Sequence, residues 1–241
     1  MATRRQRRRI KLMVWGAVVL LAVVLALLPV SSGGTRKLLV ASVFLAWGGG
    51  LLLFWGSIVG RIVFLLPLAG AIGLAMMPYR APQPERLQSV YTESLKRYEG
   101  VRYVWGGESK WGMDCSGLIR CGMIDACLSE GWKTKDLSLL RTAAALWWYD
   151  ASALEIGRGY NGRTYVFKEN QQLNTTDYTK LHPGDLAVTE SGQHILAYLG
   201  ENTWINADPK GQFAVVSKTA PQEKDTWFST PVKLVRWYRL Q

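Results

Sequence analysis

Three cysteines, at positions 115, 121 and 127, and two histidines, at 182 and 194, are the residues of this 241-residue chain whose types suit nucleophilic chemistry. A thiol that attacks a carbonyl needs a base to take its proton. It also needs a group to orient that base and donors for the oxyanion that forms. Cys115 follows Asp114, a residue type that caps helices, and precedes Ser116-Gly117-Leu118-Ile119 with Met123 and Ile124 at helical spacing. That places it at a helix start. Unpaired amides and the positive end of the helix dipole favour a thiolate there, and amides at the same end can form part of an oxyanion hole. Position alone is a weak signal, since a lone cysteine at a helix start is more often structural. Cys121 and Cys127 lie further along the same helix and read as small buried hydrophobes. Six residues apart, they point about 240° from each other around the helix, which does not suit a disulfide. No Cys-x-x-Cys or His-x-x-x-His spacing accompanies them, so neither a metal nor another cofactor is implied.

If Cys115 has a base, it is His194 or His182. His194 begins a β-rich run after Ser191-Gly192, so its ring can point from a strand toward the helix start; His182 precedes Pro183-Gly184-Asp185 and belongs to a loop. Either could instead be a structural histidine. Asn206, on the next strand, carries a carbonyl that could hold the imidazole as the third member of a triad, with Asp208 as a competing orienter.

The elements that must position these residues follow from periodicity. Leu87, Val90, Tyr91, Leu95 and Tyr98 give a helix over 85–98, a second helix starts at Cys115, and 135–148 gives a third. Beyond them the pattern changes to strands over 185–190, 194–199, 203–207, 213–218 and 232–240, with 164–168 as an additional candidate. Helices first and strands second predict an α+β domain over 87–241, with an antiparallel sheet packed on helices. Its roughly 155 residues suffice for one core.

The net charge of +11 could suggest nucleic acid, but its location argues otherwise. Nine Lys or Arg residues and no acids precede Arg80; from Arg80 onward twenty basic residues face eighteen acidic ones. The domain is near neutral and has no nucleic-acid footprint. Residues 1–79 read as a membrane anchor with apolar spans at 12–30, 38–55 and 60–77, long enough to cross a bilayer. A cleaved signal peptide ending near Ser31-Ser32-Gly33-Gly34 is the rival reading of the first span. One re-entrant helix over 38–77 would reduce the count to two spans. Six basic residues before the first span favour a cytoplasmic N-terminus. With three spans, that topology puts the domain on the periplasmic or extracellular side of the cytoplasmic membrane. Trp15, Trp47 and Trp55 suit either interfaces or packing, and Gly48-Gly49-Gly50, Gly70 and Gly73 permit close helix approach within one chain or between chains. Pro78, Pro82 and Pro84 mark a stiff linker over 80–86. Oligomeric state is not readable.

Five pieces occur in order: Tyr103-Val104-Trp105-Gly106-Gly107, Asp114-Cys115-Ser116-Gly117-Leu118, Leu181-His182-Pro183-Gly184-Asp185-Leu186, His194-Ile195-Leu196-Ala197-Tyr198-Leu199-Gly200 and Trp204-Ile205-Asn206-Ala207. Together, over roughly residues 87–210, they resemble the NlpC, or NlpC/p-sixty, family of cell-wall cysteine peptidases. The resemblance implies a reduced papain-like fold, with Cys115 as nucleophile, His194 as base and Asn206 at the polar third position, where the family often has histidine. It implies that Tyr103, Asp114 and Ser116 line or hold the substrate, and that Arg141 is structural. The implied partner is the peptidoglycan stem peptide, cut after D-γ-glutamate and before the diamino acid. Two departures stand out. Leu196 replaces a frequent glycine and could narrow the cleft, and the longer segment 149–178 could form an extra hairpin or lid. An amidase or acyltransferase on another amide or lipid, and an inactive membrane-tethered binding module, are the alternative readings.

Overall fold

The computed structural model describes residues 4–30, 32–81 and 83–241; Ser31 of the small-residue stretch and Pro82 of the linker lie outside these. The chain divides into two compact units, Met1–Met77 and Pro78–Gln241.

The first unit consists of α1 (Arg4–Leu27), α2 (Gly33–Phe54) and α3 (Ile58–Ala75), each long and apolar enough to cross a membrane. The basic tail is part of α1, since Arg, Lys and Gln are good helix formers. Ser32 and Thr35 form a capping box that starts α2 at Gly33, earlier than the apolar run alone indicates. Pro67 lies inside a continuous α3. The small residues pack within the chain: a Cβ on Gly50 would stand 2.2 Å from the Phe64 ring, so only glycine admits α3 at that point. Trp15 Nε1 donates to the Ala46 carbonyl at 2.7 Å and Trp47 Nε1 to the Phe64 carbonyl at 2.8 Å. Those two tryptophans bond neighbouring helices, whereas Trp55 is exposed.

The second unit opens with α4 (Pro84–Lys96), the small hairpin β1 (Glu108–Ser109) and β2 (Gly112–Met113), α5 (Cys115–Thr134), α6 (Leu137–Trp148) and the short α7 (Ala153–Gly157). Strands β3 (Thr164–Gln171), β4 (Leu186–Thr189), β5 (Ile195–Gly200), β6 (Thr203–Ala207) and β7 (Val215–Thr219) follow, then the single turn α8 (Thr226–Ser229) and β8 (Val232–Trp237). The last six strands form one antiparallel sheet in the order β3-β8-β4-β5-β6-β7. The chain is therefore α+β, as its periodicity predicts. Segment 149–178 departs from the expected extra hairpin or lid. After α7 and a 3-10 turn at Tyr160–Gly162, β3 pairs with β8 and extends the main sheet. Part of the expected linker is bonded to the start of α6: Leu137 N donates to Pro78 O at 3.1 Å and Arg80 N to Asp136 Oδ1 at 3.3 Å.

Alternation along the strands divides the core. Leu186, Val188, Ile195, Ala197 and Ile205 face the layer of α4, α5 and α6. Ala187, Leu196, Tyr198, Trp204 and Leu234 pack on the other face, under Trp227 and Phe228 of α8. α5 lies at the centre of the first layer. Gly122 faces Leu95 and Tyr91 of α4 so closely that a Cβ would lie 2.6 Å from Leu95. Arg120, one of the most deeply buried side chains, ties α5 to the rest. It pairs with Glu108 of β1 and with Asp150 (2.7 Å), accepts no proton loss in that setting, and donates to the Tyr160 hydroxyl (3.1 Å) and the Leu146 carbonyl (2.6 Å).

Removing this guanidinium breaks its ion pairs with Glu108 and Asp150 and leaves the buried Leu146 carbonyl without the Arg120 donor. Arg120→Ala is expected to cost about 3–5 kcal/mol. The check is chemical denaturation of the second unit within the full chain in detergent; a loss under about 1 kcal/mol would show that the network is not a structural tie.

Candidate active site

The site begins with a cap. Asp114 has extended backbone (φ −101°, ψ 178°), and its Oδ1 accepts from Gly117 N at 2.6 Å and Ser116 Oγ at 3.0 Å. Its Oδ2 accepts from Gly106 N at 2.9 Å. One carboxylate thus starts α5 and fastens the Tyr103–Gly107 loop to it. Glycine is needed where these segments meet, because a Cβ on Gly117 would stand 2.2 Å from the Gly107 carbonyl oxygen.

Cys115 occupies the first position of α5 and is 8% exposed. The backbone amides of Ile195, Ser116 and Cys115 itself act on its sulfur in favour of the thiolate. The helix start was expected to favour a thiolate, but the balance runs the other way. Burial, and then the Asp114 carboxylate, push the thiol up to about 12 against the pull of those amides. Both influences work against a thiolate in the free protein. Cys121 and Cys127, further along α5, are also free, and burial raises both.

His194 is fully buried at the entrance to β5, one residue before the amide that acts on the Cys115 sulfur. Its backbone is fixed on both sides: His194 N donates to Thr189 Oγ1 at 3.0 Å, and His194 O accepts from Thr189 N at 3.0 Å. Nε2 stands 3.0 Å from Asn206 Oδ1. An amide oxygen only accepts, so Nε2 carries the proton and Nδ1 keeps its lone pair. Nδ1 has no partner among the described residues, and no hydrogen bond joins it to Cys115. Burial drives the imidazole down to about 4; Asn206 and the charges of Asp208 and Asp225 oppose this in part.

The other histidine stands apart. His182 is exposed in the turn before β4, where its amide donates to Asp185 Oδ2 at 2.8 Å. Asp208 does not bond the imidazole. Its Oδ1 holds the amides of Lys210 and Gly211 (2.9 and 3.0 Å) and its Oδ2 takes Lys218 Nζ at 3.0 Å. Burial works upward on Asp208, but these donors bring it down to about 2.

Tyr103 is half-buried, and its amide donates to Phe213 O at 2.6 Å. Its hydroxyl is held above the ordinary phenol range by burial, then by Cys115 and Asp114, which puts it in the electrostatic field of the sulfur. The structure thus gathers Tyr103, Asp114, Cys115, Ser116, His194 and Asn206, while His182 and Asp208 serve turns. Leu196 packs with Trp204 in the second core cluster rather than in that of Cys115, so it does not narrow the sulfur's surroundings. Trp227 was not legible beforehand. Its ring stacks on His194 with centroids 4.1 Å apart and planes 20° apart, and Lys210 Nζ lies 4.6 Å from the Trp227 centroid. It comes from a four-residue helix about thirty positions beyond the histidine, with no periodic pattern to flag it. Among the described residues no group of three or more His, Cys, Asp or Glu is arranged to hold a metal ion.

With that geometry defined, comparison with known proteins is informative. The model of the NlpC/P60 family matches residues 100–231, more than half of the chain. Among solved structures, similarity extends to NlpC2 from Trichomonas vaginalis, with 16% identity, a TM-score of 0.42, and coverage of 65% of this chain and 48% of that one. It extends also to an NLP/P60-family protein, similar to lipoprotein, from Staphylococcus aureus (18% identity, TM-score 0.39, 66% and 45% covered). A third is the NlpC/p60 domain of the peptidoglycan hydrolase SagA (20% identity, TM-score 0.35, 61% and 97% covered). The chain spans about half the length of the two Trichomonas vaginalis structures, NlpC1 and NlpC2. No curated protein gives a significant match.

The depressed His194 sets an acid limit on the fold. An unfolded histidine protonates near 6.5 and the folded one near 4, so the stability it contributes is complete above about pH 6.5 and is lost as pH falls toward 4. The shift corresponds to roughly 3 kcal/mol. His194→Gln is expected to flatten the fall in melting temperature between pH 7 and 4.5. An unchanged pH dependence would show that His194 is not buried as a neutral ring.

Proposed function

Because the chain belongs to the NlpC/P60 family, whose members are generally cysteine peptidases acting on peptidoglycan, we propose that it is a membrane-anchored peptidoglycan hydrolase. In this reading it is an endopeptidase that cuts the stem peptide between D-γ-glutamate and the diamino acid. Cys115 is the nucleophile, His194 the base and Asn206 the residue that orients it. The observation that carries the reading is the 3.0 Å contact from His194 Nε2 to Asn206 Oδ1. It fixes the tautomer whose free lone pair, on Nδ1, belongs to the residue next to the sulfur's Ile195 donor.

The neutral resting pair determines how the reaction runs. As Sγ attacks the carbonyl carbon, its proton passes to Nδ1, and the imidazolium that forms is stabilised by Asn206 Oδ1. The amides of Cys115 and Ser116 at the start of α5 are the donors for the oxyanion. Collapse breaks the C–N bond, and Nδ1–H supplies the proton that the leaving amine needs. Water, deprotonated by the same nitrogen, then releases the acyl group and restores the thiol. Trp227 keeps the ring in plane throughout and shields it from water. Tyr103 and Ser116, beside the sulfur, bind the substrate near the scissile bond. Asp114 offers the remaining lone pair of its Oδ2 to the substrate's amino end.

Three apolar helices with a strongly basic leading end favour a cytoplasmic N-terminus, which puts the second unit on the same side of the membrane as peptidoglycan. Tethering there raises the effective concentration of nearby wall.

The test is digestion of purified stem peptides by the full chain in detergent, with products read by mass spectrometry. Cys115→Ala is expected to reduce cleavage to background. His194→Ala should reduce it by about 10²–10⁴-fold, with Asn206→Ala intermediate and His182→Ala within about twofold of the parent protein. If His182→Ala proved the more damaging histidine variant, the assigned base would be wrong. A reporter fused after Gln241 that read as cytoplasmic would remove peptidoglycan from reach and leave an amidase or acyltransferase on another substrate.

A further inference from the structure

A cavity of the second unit, about 640 Å³, does not include Cys115, His194 or Asn206. Its wall contains three arginines, Arg141 of α6, Arg163 at the entrance to β3 and Arg239 after β8, and among the described residues no Asp or Glu side chain lines it. Met123, eight residues along α5 from Cys115 and so about 12 Å further along that helix, contributes to its apolar wall together with Trp237.

The three guanidinium groups are held without being neutralised. Arg163 stacks on the rings of Tyr149 and Tyr160, at 5.4 and 5.2 Å from their centroids. Arg141 stacks on Tyr79 at 5.9 Å, and Arg239 Nη1 reaches Ser138 Oγ at 3.5 Å. Each guanidinium also donates through one Nη1, Arg163 to the Tyr160 carbonyl at 3.3 Å, Arg141 to the Tyr79 hydroxyl and Arg239 to Ser138, which leaves further N–H groups for a ligand. Arg239 also lines a neighbouring cavity with Glu130 and Asp136, where Glu130 pairs with Arg86 and Asp136 Oδ1 takes the amides of Arg80 and Ser138. Arg163 and Arg239 are half-buried and Arg141 is exposed, so three positive charges converge on one cavity with N–H groups still open to an incoming anion.

We propose that this cavity binds a phosphate-bearing organic anion. Three forked guanidinium groups suit a phosphate, with its multiple charge and several acceptor oxygens, better than a single carboxylate. The volume lies in the range of small-molecule sites and far exceeds one phosphate group. The apolar part of the wall then accommodates the organic portion. Arg163 comes from the long segment 149–178, which gives that addition to the sheet edge a purpose. Arg141 thereby has a binding role rather than a purely structural one. Two sources of such a group exist, a phospholipid headgroup and a soluble phosphate ester. Tyr79, whose ring orients Arg141, is only two residues past Met77 in the chain.

Binding is measured by calorimetry on the full chain in neutral detergent, with dihexanoyl phosphatidic acid, glycerol 3-phosphate and, as zwitterionic control, dihexanoyl phosphatidylcholine. Saturable one-site binding of at least one of the two phosphate monoesters is expected, weakened about tenfold by Arg239→Gln or Arg163→Gln. Asn161→Asp, which places a carboxylate in the wall at an exposed position, should weaken it comparably and guards against an arginine variant that fails to fold. Phosphatidic acid binding at least tenfold tighter than glycerol 3-phosphate identifies a lipid source; equal affinities identify a soluble ester. Absence of saturable binding below millimolar concentration, equal binding of the zwitterion, or full affinity in Asn161→Asp and the arginine variants would overturn the proposal. Because the readout is binding rather than cleavage, failure of the peptidase reading leaves this test unaffected.

Discussion

The Asp114 carboxylate is the fixed point of the second unit. It accepts from the Gly117 amide, the Ser116 hydroxyl and the Gly106 amide, and so joins the start of α5 to the loop that carries Tyr103. Everything at the site is positioned relative to that start. Cys115 is one residue on, and the first helical amides and the Ile195 amide of β5 act on its sulfur. The buried Arg120 network fixes the same helix one and a half turns further along, to β1 and to the residues that follow α6. A helix held at both points cannot shift without breaking charged, buried contacts, the rigidity that the proposed nucleophile would need.

That rigidity has an electrostatic consequence. Packing the sulfur beneath the Tyr103 loop, and the imidazole between Trp227 and the sheet, removes water from both. Burial then favours neutral forms, pushing the thiol up and the imidazole down. The acid that caps the helix adds to this, because its charge opposes a thiolate beside it. A helix start therefore does not by itself make a reactive thiolate, and amides that cannot hold a thiolate in the free protein remain available for the oxyanion of the transition state. In the proposed reaction, charge is generated only when substrate is present.

Much of this was legible in the sequence, for identifiable reasons. Asp114 before a helical apolar pattern marked the start of α5, and Asn206, one hairpin beyond His194, fell on the matching side of the next strand because side chains alternate with period two. The choice between the histidines could not be made from spacing alone. In the structure the two differ in burial: His182 is exposed in a turn, whereas His194 has no exposed surface. What remained hidden depends on contacts distant in sequence. Trp227 reaches His194 from a single helical turn, and β3 adds to β8 across more than sixty residues rather than folding into a hairpin of its own. The thiol's direction of shift was misread because a helix dipole can be seen in a sequence and desolvation cannot.

The account rests on Cys115 and His194 reacting as a pair that is neutral at rest. The most direct measurement is the rate of Cys115 carboxymethylation by iodoacetamide against pH, read peptide by peptide, in the full chain and in His194→Ala. The rate is expected to rise continuously with pH from 5 to 9, without an acid plateau, and to fall when His194 is removed. Fast alkylation independent of pH down to 5 would reveal a preformed thiolate–imidazolium pair, and a rate indifferent to His194 would show that the two residues do not act together.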